Sequence, residues 1–467
     1  MFPPEVVAFF KPILEILSPV IGPLWDVLKD WWWVPLPFIL WKPFKFMWLW
    51  WRVEKWLKKE IRPCLLEIKI PKANLKPIRA MESVMSAVHA AILQPPDLWE
   101  KWVDGQVQTS IAFEVVSVGG EIHFYIRFNS PFRDAVEASI YAQYPEAEIN
   151  QVDEYTKYVA HDIPNKDWDL FGCDYKMVNP HIKNDDHFPI KTYTEFETER
   201  EVLEEKRIDP VSTLLESLSK VKPNEQFWFQ FVCEPISDAT ADPGFMGFGK
   251  TKPQLDQWRK AGEKIRDKLA YRKEKTTSQQ NPMMVEAAKI LLTGQATEIK
   301  KDEPEPIIPV EMRVTPGEKD VLVAMEKKMS KPIFKTNIRF IYLGRRDVWF
   351  KPNFRLAFSY FNEYSTTNLA ALYPEGKTLT KIKKSFWFLP NRTRARRLYM
   401  RQRRLFRNYL NRFPAFFPRQ PDGRFMLNTE EIASLFHFPS WIVSPVPGVG
   451  RVEAKKGAPP NLPTEED

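Results

Sequence analysis

The chain is short of the residues from which catalytic and metal sites are usually built. Its 467 residues include three cysteines, Cys64, Cys173 and Cys233, and six scattered histidines. Three distant thiols, odd in number, argue against a disulfide framework and for a reducing compartment. No histidine stands in a pattern with a serine or cysteine that suggests nucleophilic catalysis. Glycine is scarce as well, 17 against 41 prolines, which implies many stiff connections. The N-terminus, MFPPE, lacks a basic stretch and so is not an ordinary secretory signal. What is present is a 44% hydrophobic content, enough for real cores, and room for two or three domains.

Nine of the 17 tryptophans lie in the first 56 residues, most of them within Trp31–Trp51. An indole is apolar yet carries an N–H that wants a partner, which suits the boundary between hydrocarbon and water. Pro35, Pro37 and Pro43 break this run, and Lys42 and Lys45 interrupt it. Each lysine held at mid-depth costs roughly 2.5–3.5 kcal/mol on insertion scales. Residues 5–30 add an amphipathic pattern, with Lys11, Glu15, Ser18, Asp26 and Lys29 at helical spacing. The expectation is a hydrophobic helical membrane anchor over residues 1–60, interfacial or re-entrant. Trp31, Trp32, Trp33, Trp41, Trp48, Trp50 and Trp51 are its lipid-contacting residues. One irregular spanning helix, or a Trp-rich helical pair folded on the protein's own core, are the alternatives. Arg52, Lys55, Lys58, Lys59 and Arg62 follow, and by the positive-inside rule they hold the rest of the chain in the cytoplasm.

Beyond the anchor the fold class reads as α+β. Residues 64–70 alternate like a strand, and 75–93 carry Ile78, Met81, Met85, Val88 and Ile92 at helical spacing. Residues 110–118 and 122–128 are strands joined at Gly119-Gly120, 131–144 a helix, and 147–152 a last strand. That β-α-β-β-α-β order predicts a ferredoxin-like unit over residues 61–160. Strands near 169–196, 226–234 and 333–343, with helices at 209–219, 317–329 and 353–364, suggest a second such unit over 161–375. A helical insertion interrupts it at about 250–310. A basic helical segment at 376–443 and a Pro-rich tail at 444–467 complete the chain.

Gly244–Thr251, GFMGFGKT, fits the G-x-x-x-x-G-K-T phosphate-loop pattern, so Gly249, Lys250 and Thr251 are candidate nucleotide ligands. The context is poor. The preceding strand ends near Pro235, two Phe and a Met crowd the loop, and no later strand ends in an acid for magnesium. Cys173, His181, Asp185, Asp186 and His187 match no standard zinc spacing. Glu146 and Glu148 stand where solvated strand ends are expected. No catalytic residue, metal or cofactor is expected.

One electrostatic feature stands out. From Gly376 to Pro421 there are 14 Lys or Arg and no acid, while the whole chain carries +8, so the remainder is net −6. Lys381, Lys383, Lys384, Arg392, Arg394, Arg396, Arg397, Arg401, Arg403, Arg404, Arg407 and Arg412 are interleaved with Phe386, Trp387, Phe388, Tyr399, Phe406 and Tyr409. On a helix over 393–411, Leu398, Leu405 and Phe406 or Tyr409 form a narrow apolar stripe, and arginine covers the rest. Acidic lipid headgroups, nucleic acid and an acidic protein face all fit such a segment.

Several stretches together resemble a known family: LLEIKIPK (65–72), IRAMESV (78–84), EVVSVGGEIHFYIRF (114–128), IYAQYPEAEI (140–149), DIPNKDWDLFGCDY (162–175), NTEEIASLFHFPS (428–440) and GVGRVEAKKGAPPNLP (448–463). They are similar to the membrane-linked N-terminal region of bacterial type IV secretion and conjugation-type, HerA-like ATPases of candidate-phyla bacteria. The matching positions are fold residues, so the resemblance carries over no catalytic group. It implies the non-motor half of such a machine, with the ATPase on another polypeptide. The functional expectation is a non-enzymatic scaffold in an oligomeric assembly at the cytoplasmic face of the cell membrane. Its partners are membrane lipid and a separate ATPase. Nucleic-acid binding through the Arg-rich helix is the alternative, and nucleotide hydrolysis at Gly244–Thr251 a more distant one.

Overall fold

The computed structural model describes residues 35–71, 74, 76–97, 99–179, 186–196, 209–237, 254–270, 314–384, 391–412 and 424–439. They fall into two units, residues 35–61 with 96–107, and the remainder from residue 62 on.

The first unit is built on helix α1 (Pro35–Glu60), which runs through Pro43. Trp41 stacks on Trp102 at 6.2 Å between ring centres, and Trp48 Nε1 donates to the Trp102 carbonyl at 2.8 Å. Trp102 sits in a π-helical turn, Glu100–Asp104, closed by Gly105 at φ 76°. A Cβ there would collide with the Arg52 backbone, so the close approach of turn and helix needs glycine. The expected hydrophobic anchor is overturned here. No helix among the described residues is long and apolar enough to cross a membrane. Lys42, Lys45, Arg52, Glu54 and Lys55 break up the apolar content of α1, and two of its tryptophans are engaged by the segment around Trp102. Trp50 and Trp51 are exposed, and Trp31, Trp32 and Trp33 lie outside the described residues.

The second unit is one antiparallel sheet of nine strands: β1 (Pro63–Lys69), β2 (Ile111–Val118), β3 (Glu121–Asn129), β4 (Glu148–Gln151), β5 (Trp168–Val178), β6 (Glu225–Ile236), β7 (Ile333–Arg345), β8 (Ala371–Pro374) and β9 (Phe425–Asn428). Their order is β4-β1-β3-β2-β6-β7-β5-β8, and β9 pairs with the start of β7. Apolar residues such as Phe113, Val115, Phe229, Phe231 and Phe340 line one face. Onto it pack α2 (Ile78–Ile92), α3 (Arg133–Tyr141), α5 (Pro210–Ser219), α7 (Pro316–Ser330), α8 (Arg355–Glu363) and α10 (Thr429–Leu435). Helix α4 (Tyr193–Phe196) packs on α10, α6 (Gln254–Leu269) packs on α7, and α9 (Arg394–Asn411) crosses the opposite face with Trp228, Ile341 and Leu343.

This corrects the expectation of two ferredoxin-like units. The halves share a strand order, β4-β1-β3-β2 and β8-β5-β7-β6, but not independence. Strand β2 pairs with β6 from Ile111↔Cys233 to Val118↔Gln226, and one apolar core runs beneath the strands of both halves. The outer edge of β2, which a separate unit would leave open, is satisfied by β6. Period-2 alternation reveals which face a side chain takes and nothing about which strand lies alongside.

Helix α10 keys the core together. All of its residues are buried, and Asn428 and Glu431 form a reciprocal cap: Glu431 N donates to Asn428 Oδ1 at 2.8 Å, and Asn428 N to Glu431 Oε2 at 2.9 Å. Beside it, Glu430 accepts from Thr192 Oγ1 at 2.7 Å, Lys327 Nζ at 2.8 Å and Lys331 Nζ at 2.6 Å. Burial pushes the Glu430 carboxyl up, but hydrogen bonds from the two lysines and Thr192 outweigh it and bring the group down to about 2. A depressed folded value means stability that is present above the unfolded value of about 4.3 and is lost as pH falls toward 2. Urea titrations at pH 5, 3.5 and 2.5 should therefore show the gap between the unmodified chain and Glu430→Gln closing as pH falls. A gap that stays constant would mean the carboxylate's charge is not what holds α10.

Candidate anionic-ligand interface

The face of the sheet that carries α9 is the more polar one. Alternation places Glu114 of β2, Gln230 of β6, Arg339 of β7 and Asp174 of β5 among its buried side chains. Arg412, just past α9 at φ 49°, donates to Glu114 through Nε at 2.8 Å and Nη2 at 3.2 Å, and its Nη1 lies 2.6 Å from Glu154. Tyr155 Oη and Gln230 Nε2 complete the Glu114 shell at 2.7 and 2.8 Å. Burial pushes the Glu114 carboxyl up, yet the Arg412 charge and these hydrogen bonds win and hold it below the usual carboxylate range. At Asp174 the balance reverses: burial outweighs Arg339, 3.1 Å away, and the carboxyl is raised.

These groups position α9. The last carbonyls of a helix have no partner within it. Here Arg339 Nη1 reaches Asn408 O at 2.5 Å, Gln230 Nε2 reaches Tyr409 O at 3.3 Å, and Arg412 Nη1 reaches Leu410 O at 3.4 Å. Two guanidinium groups at this end also meet the negative pole of the helix dipole. Further along, Gln402 Nε2 donates to Leu170 O at 2.6 Å. Leu405 lies over Gly172 of β5, where a Cβ would strike the Phe340 carbonyl and press on Leu405 itself. Leu405, Phe406, Tyr409 and Gln402 are buried and Leu398 is half-buried, so the expected apolar stripe faces the sheet.

The outward side is basic. Helix α9 contains seven arginines and neither lysine nor acid. Arg394 and Arg401 fold back onto backbone carbonyls, of Ile382 and of Gly376 and Leu379. Burial and the neighbouring charge of Arg397 lower the Arg401 guanidinium below its ordinary value. Among the described residues no acidic side chain pairs with Arg396, Arg397, Arg403, Arg404 or Arg407. Arg403 lies over the Tyr399 ring, 5.9 Å from its centre. Lys381, Lys383, Lys384 and Arg392 are exposed in the flanking segments. Arg412 is the exception among the residues grouped by sequence: it is buried, and it holds the helix instead of meeting solvent. Three arginines in the first four residues of α9, with no acid there, oppose the positive pole of the dipole.

The other candidates are placed as follows. Gly244–Thr251, with Gly249, Lys250 and Thr251, lies outside the described residues, as do His181 and Asp185. Cys173 is buried in β5, Asp186 accepts from Trp258 Nε1 at 2.7 Å, and His187 Nε2 meets the Trp258 carbonyl at 2.8 Å. Among the described residues no three His, Cys, Asp or Glu side chains converge as metal ligands. All three cysteines are buried and free, and burial pushes the Cys233 thiol up to about 12. Glu146 and Glu148 are exposed. The cleft beside α9, lined by Asp174, Lys377, Thr378, Arg401 and Arg404, has a volume of about 30 Å³, room for little more than water. A ligand of α9 must therefore be met on its surface.

Composition missed the acidic and amide side of this arrangement. Its signal was a single polar residue inside an apolar strand: Glu114 in IAFEVVSV, Gln230 in FWFQFVC, Arg339 in NIRFIYL. Such residues are rare in strands covered on both faces and need partners when present.

No curated protein matches the chain. The family described as Domain of unknown function (DUF8128) matches residues 53–444, from the last turns of α1 to beyond α10, and the chain belongs to that family.

Proposed function

We propose that the protein is a non-enzymatic scaffold subunit of a type IV secretion or DNA-transfer-like machine, docking a separate ATPase at the cytoplasmic face of the membrane. One observation carries the reading: the exposed arginines of α9 are presented by a buried ion-paired frame whose members are occupied with one another. An enzyme of this size is expected to converge such groups on a cavity. Here Glu114, Arg412, Asp174 and Arg339 are closed off beneath α9, and what they support is a surface. The resemblance of 65–72, 114–128, 162–175 and 428–440 to the non-motor region of HerA-like ATPase systems supports the setting. The test is purification of the tagged full chain from detergent-solubilised native membranes at 50 mM salt. A HerA- or conjugation-type ATPase is expected to accompany it. Recovery of the chain without any ATPase would overturn the docking role.

A further inference from the structure

We infer that the outward ridge of α9 is a binding site for the phosphate backbone of duplex nucleic acid, with Arg396, Arg397, Arg403, Arg404 and Arg407 as the contacting residues. This deepens the scaffold reading, on which it rests, by naming the ligand of that surface. At about 100° per residue these five side chains fall within an arc of roughly 120° and are spread over roughly 16 Å of helix axis. All of them are arginine, whose planar fork engages a phosphate through two N–H donors where a lysine offers a point charge. None is neutralised by a described acid. An anion also offsets the repulsion between the first-turn arginines and the helix dipole, a conflict that α9 otherwise carries without an internal remedy.

Shape decides among the polyanions. From residue 391 to 400 only Arg394 and Leu398 are even half-buried, so the first half of α9 stands clear of the sheet on most of its circumference. A helix about 10–12 Å across matches a major groove about 12 Å wide, in which cations on both flanks reach phosphates. Against a flat bilayer the same convex ridge touches along one line. An interfacial helix also inserts its apolar face, and here Leu405, Phe406 and Tyr409 are already committed to the sheet. Lys381, Lys383 and Lys384 extend the positive surface on the side where Arg394 and Arg401 anchor the 376–384 segment.

The test is fluorescence anisotropy with the purified full chain and a labelled 24-base-pair duplex between 50 and 200 mM salt. Five phosphate contacts predict a slope of log affinity against log salt of about −4 to −5, and a loss on the order of 10²–10³-fold across that range. The fivefold variant Arg396→Gln, Arg397→Gln, Arg403→Gln, Arg404→Gln, Arg407→Gln removes only exposed or half-exposed charges. It should lose about a hundredfold at 50 mM salt and most of the slope. A charge-matched variant on or beside the helices of the opposite face, Lys76→Gln, Lys220→Gln, Lys222→Gln, Lys264→Gln, Lys319→Gln, should bind as the unmodified chain does. Equal losses in the two variants would reduce the effect to net charge and overturn the site. So would no retention of duplex at 50 mM salt, or tighter binding of a single strand of the same length. Binding to phosphatidylserine vesicles that the α9 variant abolishes, without duplex binding, would assign the ridge to a membrane instead. Because the purified chain is used alone, these outcomes are independent of whether an ATPase co-purifies.

Discussion

Arg412→Met is expected to destabilise the protein by roughly 3–5 kcal/mol, the range for breaking a buried ion pair by removing one partner. Glu114 is fully buried, and among the described residues Arg412 is its only cationic neighbour. Without that charge the carboxylate keeps only the Tyr155 hydroxyl and the Gln230 amide. Two neutral donors do not replace a guanidinium in a low-dielectric site. Glu154 is less affected, because Arg127 Nε holds it at 2.6 Å and it is half-exposed. The reverse change, Glu114→Gln, should cost less, about 1–3 kcal/mol, since Arg412 keeps Glu154 and the new amide still accepts a hydrogen bond. Combined, the two substitutions should cost less than their sum by about 1–3 kcal/mol, because the second removes the unpaired charge that the first creates. Urea denaturation of the four proteins measures all three quantities. Strict additivity, or Arg412→Met costing under about 1 kcal/mol, would mean the pair is not what fastens α9. Hydrogen exchange supplies a local readout: amides of the last turn of α9 should open well before those of β6 and β7 in the Arg412 variant.

That dependence bears on function, because the ridge is only as well placed as its frame. Arg339, Gln230 and Arg412 seize the carbonyl end of α9, while Leu405 and Phe406 seat its middle. The first turns are left projecting. A site meant to meet an extended polyanion gains from this: contacts form without an ordering cost in the helix, and the guanidinium groups remain hydrated until a phosphate arrives.

Much of the local structure was legible in the chain. Gly119-Gly120 announces the β2–β3 turn, where the two glycines adopt φ 58° and 97°, and the strand patterns read at 64–70 and 110–118 correspond to β1 and β2. Asp209-Pro210 opens α5, with Asp209 Oδ1 accepting from Val211 N at 2.8 Å. Asn428 caps α10, and the stripe 398/405/406/409 marks the seated side of α9. What was not legible is tertiary. The pairing of β2 with β6 joins residues more than a hundred positions apart, and nothing local in IAFEVVSV distinguishes an edge from a seam. The tryptophans of α1 misled because indoles serve a lipid boundary and a protein contact equally well, and Trp102, which decides for Trp41 and Trp48, is remote in sequence. Arg412 was read with its basic neighbours because charge density says nothing of direction, and one residue past the end of a helix the chain turns inward.

The second large effect is expected at α10. Glu431 and Lys328 are both fully buried, 3.2 Å apart, and Glu431 also accepts from Ile190 N at 3.0 Å and closes the cap on Asn428 N. Glu431→Ala therefore removes three acceptor roles at once and leaves the Lys328 ammonium, among the described residues, with only the Phe188 carbonyl, 3.3 Å away. Losing the partner of a buried charge costs about 3–5 kcal/mol, and losing a cap about 1 kcal/mol more. Lys328→Met should be milder. It strands a carboxylate that still has two backbone N–H donors, and burial already pushes the Glu431 carboxyl up against the opposing charge of Lys328, so protonation is an accessible escape. The informative protein is the double variant Lys328→Met, Glu431→Gln. Its amide oxygen can keep the cap on Asn428 N, but the amide NH2 then meets the Ile190 N–H where the carboxylate had an acceptor, so removing both charges together should leave a residual cost of about 1–3 kcal/mol. If thermal unfolding places this variant within that small cost of the unmodified chain and Glu431→Ala far below it, α10 is held by hydrogen bonding and burial, with the charges present as a matched set. If the double variant is as damaged as Glu431→Ala, the ion pair itself carries the stability, and the core joining the two halves depends on a buried salt bridge as well as on hydrophobic burial.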